Sequence, residues 1–461
     1  MAETKEHVLT HPFSQIIYKM HLILLVARTM MENGADSDRT SQYIMRTAAY
    51  MGIPAENVSC HIMYTTLLLN VKNEEHTYTE ITKCRKHNVS MSVLAAVSRT
   101  MWRAMRDNWT LERFEKELDR IKSRKSPYSS FATAIGSSFA CGGSCLLFGG
   151  DFIAFFVTAV CAFFGFYART ICNERGFNNY AGIAIAAFVA TSLAALSQGV
   201  VHSATPMHPI VACALFIVPG VPLINAADDM LNNFIMAGIT RAFHTVLIVG
   251  SMAFGTAAAL HLGHVTDFAT ISLSPGDIYL YHPLAAAISA GGFSMLFKVP
   301  KRVLWVVSVG GAITILLRNI CMFDLGLSQA AGTFIGGAVV GLLALNALRW
   351  FHVPNVVLRT PSAIPLVPGI LLYRLLFTLL NINDVSTDIL LGALRNGIEA
   401  ATIIMAKART IVSYIFRRRR DEPMLYPDYS RGYVDDFLRM CFAVPYEPFD
   451  SDPLYVHALG R

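Results

Sequence analysis

The sequence predicts an α-helical polytopic membrane protein: ten transmembrane helices, arranged as two inverted five-helix repeats, follow an N-terminal cytosolic α+β domain. Three observations predict this fold: a strongly apolar composition, charges that avoid the middle of the chain, and an internal repeat. Hydrophobic residues make up 54% of the 461 residues and charged residues 15%. Soluble domains carry about a quarter charged residues, so the composition disfavours an ordinary soluble enzyme.

The charges also divide the chain into parts. Of the 70 charged residues, 32 lie in residues 1–126, 23 in residues 127–415 and 15 in the last 46. Several windows of about 18 to 20 residues in the middle carry no charge, and that is the length a helix needs to cross a bilayer. We therefore expect four parts, namely a cytosolic α+β domain (1–126), the first membrane repeat (127–276), the second (277–416) and a cytosolic acidic and aromatic tail (417–461).

Ten candidate spans follow from the apolar windows. They are residues 129–149, 152–169, 180–202, 209–226, 242–262, 281–297, 303–319, 327–348, 363–380 and 396–415. With this count, most of the loop arginines and lysines fall on one side of the membrane, Arg241 among them, and the positive-inside rule makes that side cytosolic. The sequence thus predicts a multi-pass protein of the inner (plasma) membrane with both termini in the cytosol. The start of the chain also lacks the pattern of a cleaved signal peptide.

The first 126 residues have the pattern of a small α+β domain. Helical apolar spacing over residues 12–33 stops at Gly34, a second helical stretch covers 40–51, and helix returns from 92 to 121. Between them, β-branched runs at 57–71 and 78–83 suggest a hairpin. The nine cysteines include no CxxC and are interpreted as packing residues, so we expect no metal and no cofactor. Residues 1–126 also lack the common hydrolase and nucleotide-binding motifs, which disfavours a membrane-anchored enzyme.

The membrane part repeats itself with a period near 150 residues. GGSCLLF at 142–148 aligns with GGFSMLF at 291–297, Ala181-Gly182 with Ala331-Gly332, and the Val-Pro-Gly at 218–220 with that at 367–369. Each half holds five spans, an odd number, so the second half must enter the membrane from the opposite side. Inverted repeats of this kind supply two exchangeable conformations, which favours a secondary transporter over a channel or receptor.

The fourth and ninth spans are predicted to be broken at equivalent positions. Pro219 and Gly220 interrupt one, and Pro368 and Gly369 interrupt the other. Freed backbone groups are costly in lipid unless they line a cavity, so paired breaks are candidate substrate-binding positions. A proline kink without any ligand is the alternative.

Polar residues follow the first break on one helical face. Asn225, Asp229 and Asn232 recur at i, i+4 and i+7. Asp229 is a candidate for holding a substrate ammonium or, with Asp228, a transported proton, since intramembrane carboxylates commonly mark such pathways. Both aspartates also fall where the span reaches the cytosolic interface, so the alternative is that they cap the helix in water.

Arg374 is the position equivalent to Asn225 in the second half. It lies about 16 Å into the ninth span, at a rise of about 1.5 Å per residue. An arginine at this depth is a candidate for binding a substrate carboxylate, because its forked donors match that group. Snorkelling to the outer interface is the alternative.

The chain resembles the threonine/serine exporter family, which includes a split two-protein form associated with dicarboxylate export. The resemblance rests on LLVARTMMENGADSDRT in the front domain, PGVPLINAADD at 219–229 and IPLVPGILLYR at 364–374. It implies ten spans, a cytosolic N-terminus and export of small metabolites driven by the proton-motive force. Family members often carry a basic residue just before the motif aspartate, where this chain has Asp228.

Taken with the resemblance, the sequence predicts a secondary active transporter that exports threonine and serine. Its expected partners are a small-molecule substrate, protons and the lipid bilayer, and no nucleic acid. A dicarboxylate exporter of the same fold, for a substrate such as succinate, is the close alternative. A channel, a receptor and a membrane-anchored enzyme are further alternatives, and homo-oligomer formation is left open.

Overall fold

The structure is a computed structural model that describes residues 12–73, 76–263, 279–351, 353–366 and 391. The chain begins with α1 (Pro12–Glu32) and α2 (Ser37–Tyr50), separated by a tight turn at Gly34. Gly34 has a φ of +93°, a backbone conformation that favours glycine. Asp36 caps α2 by accepting a hydrogen bond of 2.7 Å from the Arg39 backbone N–H.

Three antiparallel strands follow in the spatial order β1 (Val58–Ile62), β2 (Thr66–Lys72) and β3 (Thr77–Lys83). Leu67, Leu69 and Val71 alternate along β2 and are buried in the core that also contains the apolar side of α1. The predicted single run at 57–71 is therefore wrong. It divides at a turn that Met63 and Thr66 close through reciprocal backbone hydrogen bonds, and Tyr64 lies in that turn.

The predicted long helix from 92 to 121 is two helices, α3 (Met91–Arg106) and α4 (Leu111–Ser123). Asn108 between them has a φ of 46°, which no helix can contain, and the Thr110 side chain caps α4. The N-terminus of α3 docks on the membrane part, since the backbone N–H groups of Met91 and Ser92 donate to the carbonyls of Phe297 and Lys298.

The remainder is almost entirely helical in the part of the chain that the structure describes. Its helices are α5 (Ser130–Leu147), α6 (Phe152–Glu174), α7 (Asn179–Ser197), α8 (His208–Ala212), α9 (Gly220–Leu231), α10 (Ile235–Leu262), α11 (Tyr281–Leu296), α12 (Leu304–Asn319), α13 (Gln329–Phe351) and α14 (Asn355–Ala363). They lie at eight of the ten predicted spans. The rest of the ninth span, the tenth span and the tail fall outside the described residues.

Five described helical segments are long and apolar enough to cross a membrane: Ser130–Leu147, Phe152–Glu174, Asn179–Ser197, Ile235–Leu262 and Lys301–Asp324. A bent pair, His208–Ile217 with Gly220–Leu231, raises the number to six if it is one span. Large apolar side chains such as Phe156, Phe164, Phe243 and Phe254 are exposed on the outer faces of these helices. Exposed aromatic faces of this kind are typical of contact with lipid.

The predicted break in the fourth span is confirmed. The chain turns by 61° between residues 217 and 220, and a single turn of 3₁₀-helix (Leu215–Ile217) precedes the break. Pro219, with φ −80° and ψ 61°, stands before the first residue of α9. Pro222 is tolerated in the first turn of α9, because the amides there have no intrahelical partner.

Candidate functional site

Asp229 lies on α9, beyond the break, and its side chain is fully buried. One carboxylate oxygen, Oδ1, accepts a 2.7 Å hydrogen bond from the backbone N–H of Ser37. The other, Oδ2, lies 3.1 Å from Nε of Arg241. Asp229 is therefore not solvated at an interface, and the alternative of a water-exposed helix cap does not hold for it.

Arg241 reaches Asp229 because α9 and α10 fold back on one another. The turn between them uses Asn233 in a left-handed conformation, with a φ of 65°. Gly238 then allows close packing: a Cβ atom there would lie 2.9 Å from the Ala226 carbonyl oxygen. This close approach places Arg241, only 2% exposed, beside the carboxylate one helix away.

The ion pair is close, but its hydrogen bonding is incomplete. Nη1 and Nη2 of Arg241 both donate to the Ala35 carbonyl oxygen at 3.3 Å, and the guanidinium lies 4.9 Å from the centre of the Tyr64 ring. Neither Nε of Arg241 nor Oδ2 of Asp229 has a well-aligned hydrogen-bond partner among the described residues. A buried oxygen in that condition is a natural acceptor for a proton or a ligand N–H.

The turn Gly34–Ser37 of the front segment covers this pair directly. Asn225 donates through Nδ2 to the Gly34 carbonyl oxygen at 3.0 Å, while Ala35 and Ser37 make the contacts to Arg241 and Asp229. The sequence prediction did bring Asn225 and Asp229 together. Both side chains nevertheless form hydrogen bonds with a loop that lies about 190 residues earlier in the chain.

An aromatic and histidine cluster borders the pair. His87 stacks on Tyr64 with ring centres 4.0 Å apart, and His244 lies 6.0 Å from His87. Nδ1 of His244 and Oη of Tyr180 are hydrogen-bonded at 2.7 Å. Burial, then the neighbouring His244 and Arg241, lower the pKa of His87 to about 4, and burial raises the pKa of Tyr64 to about 12. Both front-segment side chains are therefore uncharged at neutral pH.

The other predicted site residues have different surroundings. Pro219 and Gly220 lie at the break, as predicted. Asp228 is half-buried and interacts electrostatically with Asp36, Arg359, Asp229 and Arg39, so it borders the Asp229–Arg241 pair. Pro368, Gly369 and Arg374 lie outside the described residues. The residues described contain no cluster of three His, Cys, Asp or Glu side chains able to hold a metal ion.

Sequence reasoning missed Arg241, the Gly34–Ser37 turn and Tyr64 as members of the site. The apolar window predicts that the fifth span begins at residue 242, which leaves Arg241 in the preceding loop, whereas α10 begins at Ile235. One signal was present: Gly238-x-x-Arg241 has a counterpart at residues 392–395 of the second half. No local pattern predicts that a turn at residue 34 contacts residue 229.

Comparison with known proteins gives a consistent result. A family model for threonine/serine exporters matches residues 21–263, and a second model described as "Threonine/Serine exporter, ThrE" matches residues 282–415. A threonine/serine exporter from Corynebacterium glutamicum is 20% identical over 423 residues, which cover 90% of this chain and 86% of the relative. No solved structure matches the chain.

Two further similarities are partial. A "Probable succinate transporter subunit YjjP" from Klebsiella aerogenes is 25% identical over 240 residues, covering 52% of this chain and 92% of the relative. Citrate synthase 1 of Mycobacterium tuberculosis is 42% identical over only 71 residues, or 16% of that enzyme. The two family matches together span most of the chain. The chain is therefore a multi-pass membrane protein that belongs to the threonine/serine exporter family.

Proposed function

We propose that the protein is a secondary active transporter that exports threonine and serine from the cytosol across the inner membrane, driven by the proton-motive force. The observation that carries the proposal is the buried Asp229–Arg241 ion pair beside a broken helix. Buried intramembrane charges are costly and are kept where they serve transport. The family of the chain and its exporter relative support the same conclusion.

Asp229 is the proposed proton carrier. A proton on Oδ2, the oxygen without a well-aligned donor, would cancel the negative charge that holds Arg241. The guanidinium then becomes available to a substrate carboxylate, which its donors fit well. The start of α9 is a second group suited to that carboxylate, through the amide of Val221, since the Gly220 amide donates to the Val218 carbonyl oxygen and Pro222 has no N–H. In the second half, Pro368, Gly369 and Arg374 are proposed to complete the site, and Asp228 is the second candidate for the proton.

Alternating access is proposed to come from inverted repeats, and three pairs of features support this. A Cβ atom on Gly143 would touch Ser289, and one on Gly292 would touch Ala140. Gly292 and Ser289 are the positions equivalent to Gly143 and Ala140 at an offset of 149 residues, so the α5–α11 interface contains the same contact twice. Packing of Gly182 against Cys172 has its counterpart in Gly332 against Cys321. The 3₁₀ turn Leu215–Ile217 likewise has a counterpart at Ile364–Leu366. Equivalent contacts made by both repeats are expected when the two repeats are related by a two-fold pseudo-axis.

The front segment is proposed to close the site from the cytosol. Its turn at Gly34–Ser37 occupies hydrogen-bonding groups of Asn225, Asp229 and Arg241. A substrate arriving from that side must replace these contacts, so the turn has to withdraw during each transport cycle. This arrangement corresponds to a state closed on its cytosolic side.

A dicarboxylate such as succinate is the second candidate substrate, since the YjjP relative covers half of this chain. The two cargoes differ in charge: threonine is a zwitterion and succinate a dianion. Measuring the net charge moved per labelled substrate in proteoliposomes separates them by two elementary charges. Competition among threonine, serine and succinate in the same vesicles gives the preference directly. Export of neither amino acid, with succinate transported, would replace the first candidate by the second.

A further inference from the structure

A cavity lies away from the Asp229–Arg241 site, between the front segment and the turn that joins α11 to α12. Its volume is about 980 Å³. Side chains of α1, α3 and the end of α4 form one wall, and residues 298–302 form the other. Small-molecule sites have volumes of about 300 to 1,000 Å³, so the cavity has room for a ligand larger than a single inorganic ion.

The lining is strongly basic. Arg28, Lys86 and Arg99 enter from the body of the front segment, and the described lining holds nine lysines and arginines in all. The carboxylate found among these lining residues is Glu32, which is occupied by Arg28 at 3.1 Å and by the backbone N–H of Arg85 at 2.9 Å. The net charge of the described lining is therefore +8.

Most of these cations lack a carboxylate partner in the part of the chain that the structure describes. Lys122 lies 3.9 Å from Asp119, and apart from the Arg28–Glu32 pair no other lining cation has a carboxylate oxygen within 4.0 Å. Burial, followed by repulsion from Arg302, Arg103 and Arg124, lowers the pKa of Arg99. Like charges gathered in a half-buried space are unfavourable unless an anion neutralises them.

Membrane topology explains only part of this charge. Cations at 122–125 and 298–302 flank predicted spans, where the positive-inside rule places them. Arg28, Lys86 and Arg99 are distant in sequence from every span, and folding brings them to the same cavity. Neutral hydrogen-bonding side chains line it too, among them Asn88 and Ser126. Clustered cations with neutral donors are the surroundings that phosphate oxygens require.

We propose that this cavity binds a phosphate-bearing anion, which bridges the front segment to the Lys298–Arg302 turn. The ligand chemistry is that of two or more phosphate oxygens held by arginine and lysine, from either a soluble polyphosphate compound or the headgroup of an anionic lipid. The bound anion stabilises the docked position of the front segment, in which Met91 and Ser92 contact residues 297 and 298. The proposal does not depend on which substrate the transporter carries.

The test uses the purified full-length protein and two sources of phosphate. Inorganic pyrophosphate is titrated against protein in detergent, with binding followed by calorimetry. In parallel, thermal unfolding is compared in nanodiscs of phosphatidylcholine with and without phosphatidylglycerol. The cavity variant is Arg99→Gln with Arg302→Gln, and its matched control is Arg106→Gln with Arg113→Gln, two front-segment arginines that do not line the cavity.

Saturable pyrophosphate binding that weakens by at least about ten-fold in the cavity variant, and not in the control, would identify a soluble ligand. Stabilisation by phosphatidylglycerol that is lost only in the cavity variant would identify a lipid headgroup. Equal behaviour of the two variants in both arms would overturn the proposal.

Lysine acylation of the unmodified protein gives a test that needs no variant. Pyrophosphate or phosphatidylglycerol should slow acylation of Lys298 and Lys301 in the cavity, but not of Lys116 on α4, which does not line it. The proposal fails if neither anion changes the relative rates.

Discussion

The Asp229 carboxylate and the Arg241 guanidinium are the two charged groups on which the proposed chemistry depends. Both are removed from water, and the α9–α10 turn and Gly238 hold them together. Replacing both partners of a buried pair is often nearly neutral for stability, whereas removing one leaves an uncompensated charge. This asymmetry separates a structural effect of Asp229 from its proposed role in proton transfer.

Asp229→Asn is expected to destabilise the protein by about 3 to 5 kcal/mol, because Arg241 stays buried without a counter-charge. The double variant Asp229→Asn with Arg241→Met should recover most of that stability and remain inactive in proton-driven transport. Thermal and denaturant unfolding in detergent measure the first effect. Asp119→Asn, at an exposed carboxylate on α4, is the matched control. A single variant no less stable than this control would contradict the buried pair.

The docking of the front segment is expected to weaken in acid through His87. The pKa of His87 is lowered from 6.5 to about 4, so between these values the unfolded chain takes up a proton that the folded chain excludes. The contribution of neutral His87 to the free energy of unfolding is therefore fully present above pH 6.5, and it is lost progressively as the pH falls towards 4. His244, Arg241, Glu32 and Tyr64 are the titratable or charged groups around the ring, and Glu32 partly opposes the lowering of the pKa of His87.

Thermal unfolding measured across this pH range tests the expectation. His87→Phe keeps a ring to stack on Tyr64 but cannot take up a proton, so its stability should vary less with pH than that of the unmodified protein. His76→Phe, at an exposed position, should behave like the unmodified protein. Parallel pH profiles for the unmodified and His87→Phe proteins would remove His87 as the cause.

Among the elements, α5 and α11 depend on glycine for their close contact. A Cβ atom at position 292 would meet the Ala140 backbone, and one at 143 would lie 2.8 Å from the Ala285 carbonyl oxygen. We expect Gly292→Ala to cost about 1 to 3 kcal/mol, since backbone atoms cannot move aside cheaply. Gly143→Ala should cost a similar amount if the contact is two-fold related.

Gly250→Ala on α10 is the control for these helix substitutions. Nothing lies within 4 Å of a Cβ atom at position 250, so alanine should be neutral or stabilising by up to about 1 kcal/mol. Unfolding of the three variants in detergent is the measurement. A tolerated Gly292→Ala would show that the two helices do not pack as closely as described.

Apolar patterning predicts the elements far better than it predicts their contacts. Helices α5 to α7 and α10 to α13 lie at the expected spans because long uncharged runs leave few other structures in lipid, and proline with glycine predicts the break at 219–220. Short interruptions are harder to predict. The sequence pattern does not reveal the turn at Met63–Thr66 or the helix end at Asn108, because β-branched and helical runs continue through them. Arg241 and the Gly34–Ser37 turn depend on non-local packing, which one sequence does not contain.

In the part of the chain that the structure describes, two of the contacts between the front segment and the membrane helices adjoin the proposed binding sites. The Gly34–Ser37 turn covers the buried ion pair, and the start of α3 docks on residues 297–298 beside the basic cavity. One contact involves residues of the predicted first repeat and the other involves residues of the predicted second repeat. A front segment attached to both predicted repeats is well placed to couple its own docking to their relative movement.

Uptake of labelled threonine into everted membrane vesicles is the most direct test of the proposed proton-coupled export through the Asp229–Arg241 site. With an acidic vesicle interior, vesicles containing the protein should accumulate threonine. Collapsing the pH gradient should abolish accumulation, as should Asp229→Asn together with Arg241→Met in folded protein, while Asp119→Asn should leave it unchanged. Uptake that is equal with and without the gradient, or undiminished in the folded double variant, would contradict the account.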